Sequence, residues 1–153
     1  MNRRTTLRTL AAAVSLAAAV TLTGCSSDGD AAAAPTVSGA FMPQPVNDKM
    51  AGAFMTVKND SKTADKLVSV TSPLSDDVQI HETKDQKMRQ VQSLDLPAGG
   101  ELNLARGGDH IMFMGLKSTP KVGDKVKIEL KFEKAAPVTV EVEVKERTAQ
   151  SGH

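Results

Sequence analysis

Two neighbouring stretches, KVKIELKF (125–132) and PVTVEVEVKE (137–146), decide the fold class of this chain. In both, apolar residues alternate with charged or polar ones, which is the period of a strand with one buried and one solvated face. The apolar members are Val126, Ile128, Leu130, Phe132, Val138, Val140, Val142 and Val144. Strands of this kind are typical of antiparallel sheets, and the link EKAAP (133–137) is short, so we predict a hairpin.

Seven further segments have the composition of short strands and are separated by turn-forming residues such as Gly107-Gly108. They cover residues 36–42, 51–58, 66–71, 77–82, 88–94, 101–105 and 110–115. No long segment has the apolar period of an amphipathic helix. Nine short strands at this spacing predict an all-β domain, a sandwich or barrel with Greek-key connections.

The N-terminus has the composition of an export signal. Arg3, Arg4 and Arg8 precede an apolar run (10–22) that is too short for a comfortable membrane span. The run ends in LTGC (22–25), which resembles the bacterial lipobox, where cleavage falls before the Cys and its thiol is lipidated. We therefore predict a signal peptide at 1–24, a lipid on Cys25, and an extracytoplasmic, membrane-anchored location.

The remaining organisation follows from composition. Residues 26–35 (SSDGDAAAAP) are small or polar. We therefore predict that 25–35, which includes the lipidated Cys25, is a flexible tether between the lipid and the folded domain. The folded domain is expected at 36–147 and a disordered tail at 148–153.

Charge and aromatic content argue against nucleic-acid binding. Without the three arginines of the signal, 16 basic and 18 acidic residues remain, and the chain contains neither Trp nor Tyr. The sequence therefore has neither a dominant basic patch nor the aromatic residues on which nucleic-acid bases would stack. Cys25 is the one Cys in the chain, so its lipidation would remove it as a metal ligand.

Histidine and methionine side chains share predicted strand faces. In DHIMFMGL (109–116), His110, Met112 and Met114 alternate with Ile111 and Phe113, so the first three share one face. In DDVQIHET (76–83), His81 points away from the face of Val78 and Ile80, and Met88 follows among polar residues.

Taken singly, each of these residues fits an ordinary structural role, and Met114 in particular fits packing. Taken together, imidazoles and thioethers form a soft donor set. Such a set suits Cu(I) better than Mg²⁺, Ca²⁺ or Mn²⁺, whereas zinc sites favour thiolate, imidazole and carboxylate.

At these residues the sequence resembles the periplasmic copper chaperones called PCuAC. That family has the pattern His, ten residues, Met, twenty-one residues, His, one residue, Met. Here twenty-one residues separate Met88 from His110, and Met112 follows after one more. The stretches AGAFMTVKN (51–59), LPAGGELNL (96–104) and GGDHIMFMGLK (107–117) also match, and the resemblance extends from about 40 to 144.

The chain departs from the pattern at one place. Only six residues separate His81 from Met88, where the family has ten. Because four residues are lost, an even number, both side chains of a hairpin keep their face. We therefore retain His81 as a candidate ligand.

The resemblance implies a cupredoxin-like β-sandwich that binds Cu(I) through His81, Met88, His110 and Met112, with Met114 as a reserve ligand or packing residue. It implies transfer by ligand exchange towards the CuA centre of cytochrome c oxidase, with subunit II or an upstream thiol copper-transfer protein as partner. Electron transfer is not implied, because blue-copper sites need a Cys ligand.

Three alternatives remain open. The same site could serve copper storage or resistance, and sequence does not separate retention from delivery. The domain could instead be a structural β-sandwich with an incidental His and Met cluster. An enzyme ranks last, because the sequence shows no Ser-His-Asp set, no plausible pair of catalytic carboxylates and no phosphate-binding loop.

Overall fold

The computed structural model describes residues 32–149, which are built from ten strands. The strands are β1 (Thr36–Pro43), β2 (Met50–Lys58), β3 (Asp65–Thr71), β4 (Asp77–Lys84), β5 (Lys87–Val91), β6 (Leu94–Leu96), β7 (Glu101–Leu104), β8 (His110–Met114), β9 (Lys125–Phe132) and β10 (Val138–Lys145). Within that range no helix is long and apolar enough to cross a membrane. The predicted signal peptide, Cys25, most of the tether and the last four residues lie outside the described residues.

The strands form one nearly closed sheet in the order β5-β4-β8-β2-β1-β10-β9-β3-β6. Strand β2 turns the corner of this barrel-like sandwich: Met50–Ala53 pair with β8, and Met55–Lys58 pair with β7. Most neighbours are not consecutive in the chain, as Greek-key connections require. The all-β sandwich or barrel prediction is confirmed.

The predicted C-terminal hairpin is present as the antiparallel pair β9–β10. All four apolar side chains of β9 are buried, and so are Val142 and Val144 of β10. Val138 and Val140 are only half-buried. Among the described residues, this first half of β10 pairs only with β9, because β1 joins β10 from Glu143 onward.

The predicted strand at 88–94 was wrong as a single element. The structure divides it into β5, which pairs with β4, and β6, which pairs with β3. The chain crosses between two parts of the sheet at Gln92-Ser93, and a break in pairing is needed there. Local alternation does not reveal such a crossing.

A buried carboxylate joins β3 to the turn after β9. Asp65 accepts hydrogen bonds from the backbone N–H groups of Lys66 (2.8 Å), Lys134 (2.9 Å) and Ala135 (2.8 Å). Burial alone raises the pKa of the Asp65 carboxyl, but these bonds outweigh it and hold the pKa below its ordinary value.

Strand β8 lies between β2 and β4 and carries both core and candidate site residues. Ile111 and Phe113 are fully buried in the hydrophobic core, as predicted. Each such side chain contributes roughly 1.5–3 kcal/mol when buried. Their burial fixes the opposite face of β8, which holds the alternate residues.

Candidate metal centre

The strand register brings the candidate residues of β4 and β8 to one face of the sheet. His81 pairs directly with His110, Gln79 with Met112, and Asp77 with Met114. Directly paired residues of antiparallel strands have neighbouring side chains on the same face. The outer face of β8 therefore has a polar row on β4 beside it.

On the other side of β8, strand β2 contributes a different row. Met50 pairs with Met114, and Gly52 pairs with Met112. Phe54 continues this row, and its ring centroid lies 6.3 Å from that of His110. Gly52 places no side chain opposite Met112, so the face is open at that point.

Met88 reaches this face through a minimal hairpin. Asp85 and Gln86 form the two-residue loop between Lys84 and Lys87, with φ of 51° and 60°. Met88 pairs with Thr83, which shares a face with His81 two residues earlier. The shortened loop thus keeps Met88 on the His81 face, diagonal to His81, as the parity argument predicted.

The two imidazoles are neighbours, with ring centroids 5.4 Å apart. His110 is buried, and its Nδ1 lies 2.9 Å from the backbone oxygen of Gly108. Because a carbonyl oxygen only accepts, Nδ1 carries the proton and donates this bond. The Nε2 atom of His110 is left with a lone pair available for a metal.

His81 has the opposite tautomer, and a chain of hydrogen bonds sets it. The Nε2 atom of Gln79 donates to both carboxylate oxygens of Asp77 at 3.0 and 3.1 Å, which orients the amide. Gln79 Oε1 then faces His81 Nε2 at 2.9 Å, so Nε2 carries the proton. Among residues 32–149, the buried His81 Nδ1 has no hydrogen-bond partner, which leaves its lone pair free.

The surroundings of His81 also keep the ring neutral. Burial, followed by the charge of His110, lowers the pKa of His81 below its ordinary value. Only a neutral imidazole ligates a metal, so this shift extends the ligating form to lower pH.

An open cleft of about 470 Å³ lies over this face and brings together Met88, His110 and Met112. Met88 is 64% exposed. His81 is not among the residues that line the cleft, but its ring centroid lies 5.4 Å from that of His110, which does line it. As far as the described part of the chain goes, the lining includes Arg106 and Arg147 but no acidic side chain, and the Arg106 guanidinium lies 5.6 Å from the Phe54 ring centroid. A larger cleft of about 830 Å³ is lined by described residues that include no His, Met or Cys.

The donor chemistry of the face is that of imidazole and thioether. Among residues 32–149, no three His, Cys, Asp or Glu side chains are grouped to hold a metal. A set of two imidazoles and two thioethers remains, which matches the preference of Cu(I) for soft, neutral ligands.

The register separates Met114 from the histidine pair. It lies four residues from His110 along β8, about 13 Å at the rise of a strand. Sequence reasoning had singled out none of Met50, Gln79 and Asp77. That Gln79 adjoins His81 could have been predicted from its position two residues earlier on the same strand face. That Met50 lies beside Met114 follows only from the pairing of β2 with β8.

Comparison with known proteins identifies a family. Residues 31–144 match the family model LpqE-like, described as "Putative lipoprotein LpqE-like". The chain is also 34% identical, over 92% of each sequence, to "Putative lipoprotein Lxx21020" of Leifsonia xyli subsp. xyli.

Solved structures of PCuAC domains share the fold. The solution structure of CuI-DR1885 from Deinococcus radiodurans is 33% identical, with a TM-score of 0.65 over 80% of this chain and 85% of that one. The copper-bound PCuAC domain from PmoF2 is 25% identical, with a TM-score of 0.67 over 76% and 96%. The apo PmoF2 domain, at 24% identity and a TM-score of 0.69 over 80% and 98%, supports the fold alone. The predicted cupredoxin-like sandwich of PCuAC type is confirmed.

Proposed function

This chain belongs to the LpqE-like family, and from that premise and the site geometry we propose that it is an extracytoplasmic Cu(I) carrier. One Cu(I) is bound by His81 Nδ1, His110 Nε2 and the thioethers of Met88 and Met112. The carrier passes copper by ligand exchange towards the CuA centre of cytochrome c oxidase, to subunit II or to a thiol protein upstream of it.

The observation that carries this proposal is the pair of free imidazole lone pairs beside two thioethers on one sheet face. In each ring one nitrogen donates its N–H to an acceptor oxygen, so the proton stays on that nitrogen and the other nitrogen is the metal donor. The solved relative that is 33% identical is described with Cu(I) bound, which supports the same metal here.

The charge of the donor set favours the reduced metal. All four ligands are neutral, so the bound ion keeps its single positive charge. Thioether sulfur prefers Cu(I), and the filled d shell of Cu(I) accepts an irregular arrangement of ligands.

Exposure of Met88 favours delivery over permanent storage. A thiolate of the acceptor forms a bond to copper as the Cu–S bond to Met88 breaks, and the oxidation state is unchanged. The lipid proposed on Cys25 would hold the carrier at the cell membrane, where the tether raises its effective concentration near membrane-bound acceptors.

The first test is an anaerobic Cu(I) titration of the chain from Ser26 onward against a chromophoric chelator. We expect one equivalent to bind, and we expect Met112→Leu and His81→Gln to weaken binding by at least tenfold. Met55→Leu removes a thioether buried in the core and serves as the matched control. A chain that cannot compete for Cu(I) would leave the structural sandwich as the better interpretation.

A second measurement separates carrying from storage. The loaded protein is mixed with a dithiol acceptor, and transfer is followed by the copper content of each partner after separation. A carrier transfers its copper within minutes, and Met88→Leu changes the transfer rate. Retention of copper against excess thiol would instead identify a storage protein.

A further inference from the structure

We infer that Met50, Met112 and Met114 form a second, thioether-only Cu(I) position that captures the ion before it moves to the histidines. The inference rests on the proposed function, because Met112 would belong to both positions. It assigns a role to Met50, which lies outside the His and Met pattern of the sequence.

The strand register places the three thioethers together. Met50 and Met114 are directly opposite each other on β2 and β8. Residues opposite each other in this way have Cβ atoms about 4.5–5.5 Å apart, and diagonal neighbours are about 7–8 Å apart. Met112 is the diagonal neighbour of Met50 and lies two residues from Met114 on the same face, so three flexible side chains surround one point.

Open space and exposure agree with this arrangement. Met50 is 51% exposed and lines the cleft together with Met112, while Met114 is half-buried. Gly52 stands between Met50 and Phe54 on β2, and a Cβ there would lie 3.4 Å from the Phe54 ring. The face above Met112 is therefore kept free of a β2 side chain.

The charges nearby favour approach of a cation from this end. Asp77 pairs with Met114 from β4, so its carboxylate adjoins the thioether group. Arg106, one of the two cleft arginines, lies over Phe54, which neighbours His110 rather than Met114. The Asp77 carboxylate thus gives the Met114 end a negative charge that Arg106 does not adjoin.

Thioether ligation differs from imidazole ligation in its dependence on pH. Methionine sulfur carries no proton in the accessible pH range, so three thioethers bind Cu(I) without displacing protons. The histidines must be neutral to ligate. A thioether position therefore needs no imidazole and persists when both histidines are replaced.

Movement between the two positions needs only ligand exchange. Met112 stays bound while the Cu–S bonds to Met50 and Met114 break and new bonds to His110 Nε2, His81 Nδ1 and the Met88 sulfur form. Copper remains Cu(I), and no proton is transferred when both rings are neutral. Since Met112 is shared, the two positions are occupied in turn by one ion.

Methyl NMR of the full chain in detergent tests the inference directly. The Met methyl groups are labelled with ¹³C, and Ag(I) is added as a redox-inert substitute for Cu(I). In the His81→Gln/His110→Gln variant, which lacks both imidazoles, we expect the Met50, Met112 and Met114 methyl signals to shift. The buried Met42 and Met55 are internal controls and stay in place.

Variants add an independent measurement. In a His81→Gln/His110→Gln background, Met50→Leu should weaken Ag(I) binding by at least tenfold. Val46→Leu changes an exposed apolar residue of the same cleft and should leave binding within twofold. Should this double variant fail to fold, a His81→Gln/His110→Asn variant replaces it, because the shorter amide can still donate to the backbone oxygen of Gly108.

The outcomes separate this inference from the proposed function. Unshifted Met50 and Met114 signals in the folded double variant overturn the thioether position, even when Met88 and the histidine rings of the wild-type protein respond to Ag(I) at pH 7.5. Shifted Met50 and Met114 signals support it. A failure of Met88 and the histidine rings to respond at pH 7.5 would instead contradict the proposed four-ligand site.

Discussion

Replacing Gln79 with Leu tests whether the hydrogen-bond chain from Asp77 prepares His81 for copper. In the structure Gln79 Oε1 accepts the proton of His81 Nε2, and Gln79 is held by two bonds to Asp77. The Gln79→Leu variant leaves this N–H without its acceptor. The ring can then place its proton on Nδ1, the nitrogen that would ligate the metal.

Two estimates bound the size of the effect. A neutral hydrogen bond contributes about 0.5–1.5 kcal/mol, which is about 2- to 13-fold in an equilibrium constant. Removing the partner that orients a metal-bound His costs about 10- to 100-fold in metal affinity. The ranges meet near tenfold, so we expect Gln79→Leu to weaken Cu(I) binding by about tenfold.

The assay combines Cu(I) competition with ¹⁵N NMR of the His81 ring. The wild-type apo protein should show His81 protonated at Nε2 alone, and the variant should show a mixture of tautomers. Gln90→Leu is the matched control, because Gln90 also pairs with His81 on the same face but forms no hydrogen bond to its ring among the described residues. A Gln79→Leu variant that keeps both the single tautomer and the wild-type affinity would refute the reasoning.

Three further predictions concern stability. The pKa of His81 is lowered, so below about pH 6.5 the unfolded chain binds a proton that the folded ring resists. The free energy of unfolding of the apo protein should therefore fall below this pH and level off below the folded pKa. Thermal melts at pH 7.5 and 5.5 should show a smaller difference in melting temperature for His81→Gln than for the wild type. Gln86 has a φ of 60° in the two-residue turn, a conformation in which Gly carries no Cβ penalty. Gln86→Gly should therefore raise the unfolding free energy by about 1 kcal/mol in denaturant titrations, and a loss of stability would contradict the turn geometry. Asp65→Ala leaves three backbone N–H groups without their acceptor and should cost about 2–3 kcal/mol, whereas Asp95→Ala, at an exposed site, should change little. Because the Asp65 pKa is lowered, this contribution is present above about pH 4 and is lost as the pH falls towards the folded pKa, so the two proteins should converge in acid.

Much of the arrangement of the candidate site was predictable, because it depends on two local patterns: the alternation of side chains along a strand and the number of residues in a hairpin loop. Alternation along β8 places Ile111 and Phe113 in the core and Met112 on the outer face, whatever strands lie beside it. The even number of residues missing from the hairpin loop keeps Met88 on the His81 face, and the loop that remains is the two-residue turn between Lys84 and Lys87. The break between β5 and β6 was missed because it depends on which distant strands each half joins.

The sequence alone determined the strand alternation, the spacing of Met88, His110 and Met112, and the soft character of their donors. These properties depend on the chemistry of single residues and on a period of two. Tertiary structure alone decided that Met50 adjoins Met114, that Gly52 leaves Met112 open, and that Gln79 selects the His81 tautomer. Those relations arise from hydrogen-bonded registers between strands distant in the chain, and such registers are set by the packing of the whole sheet.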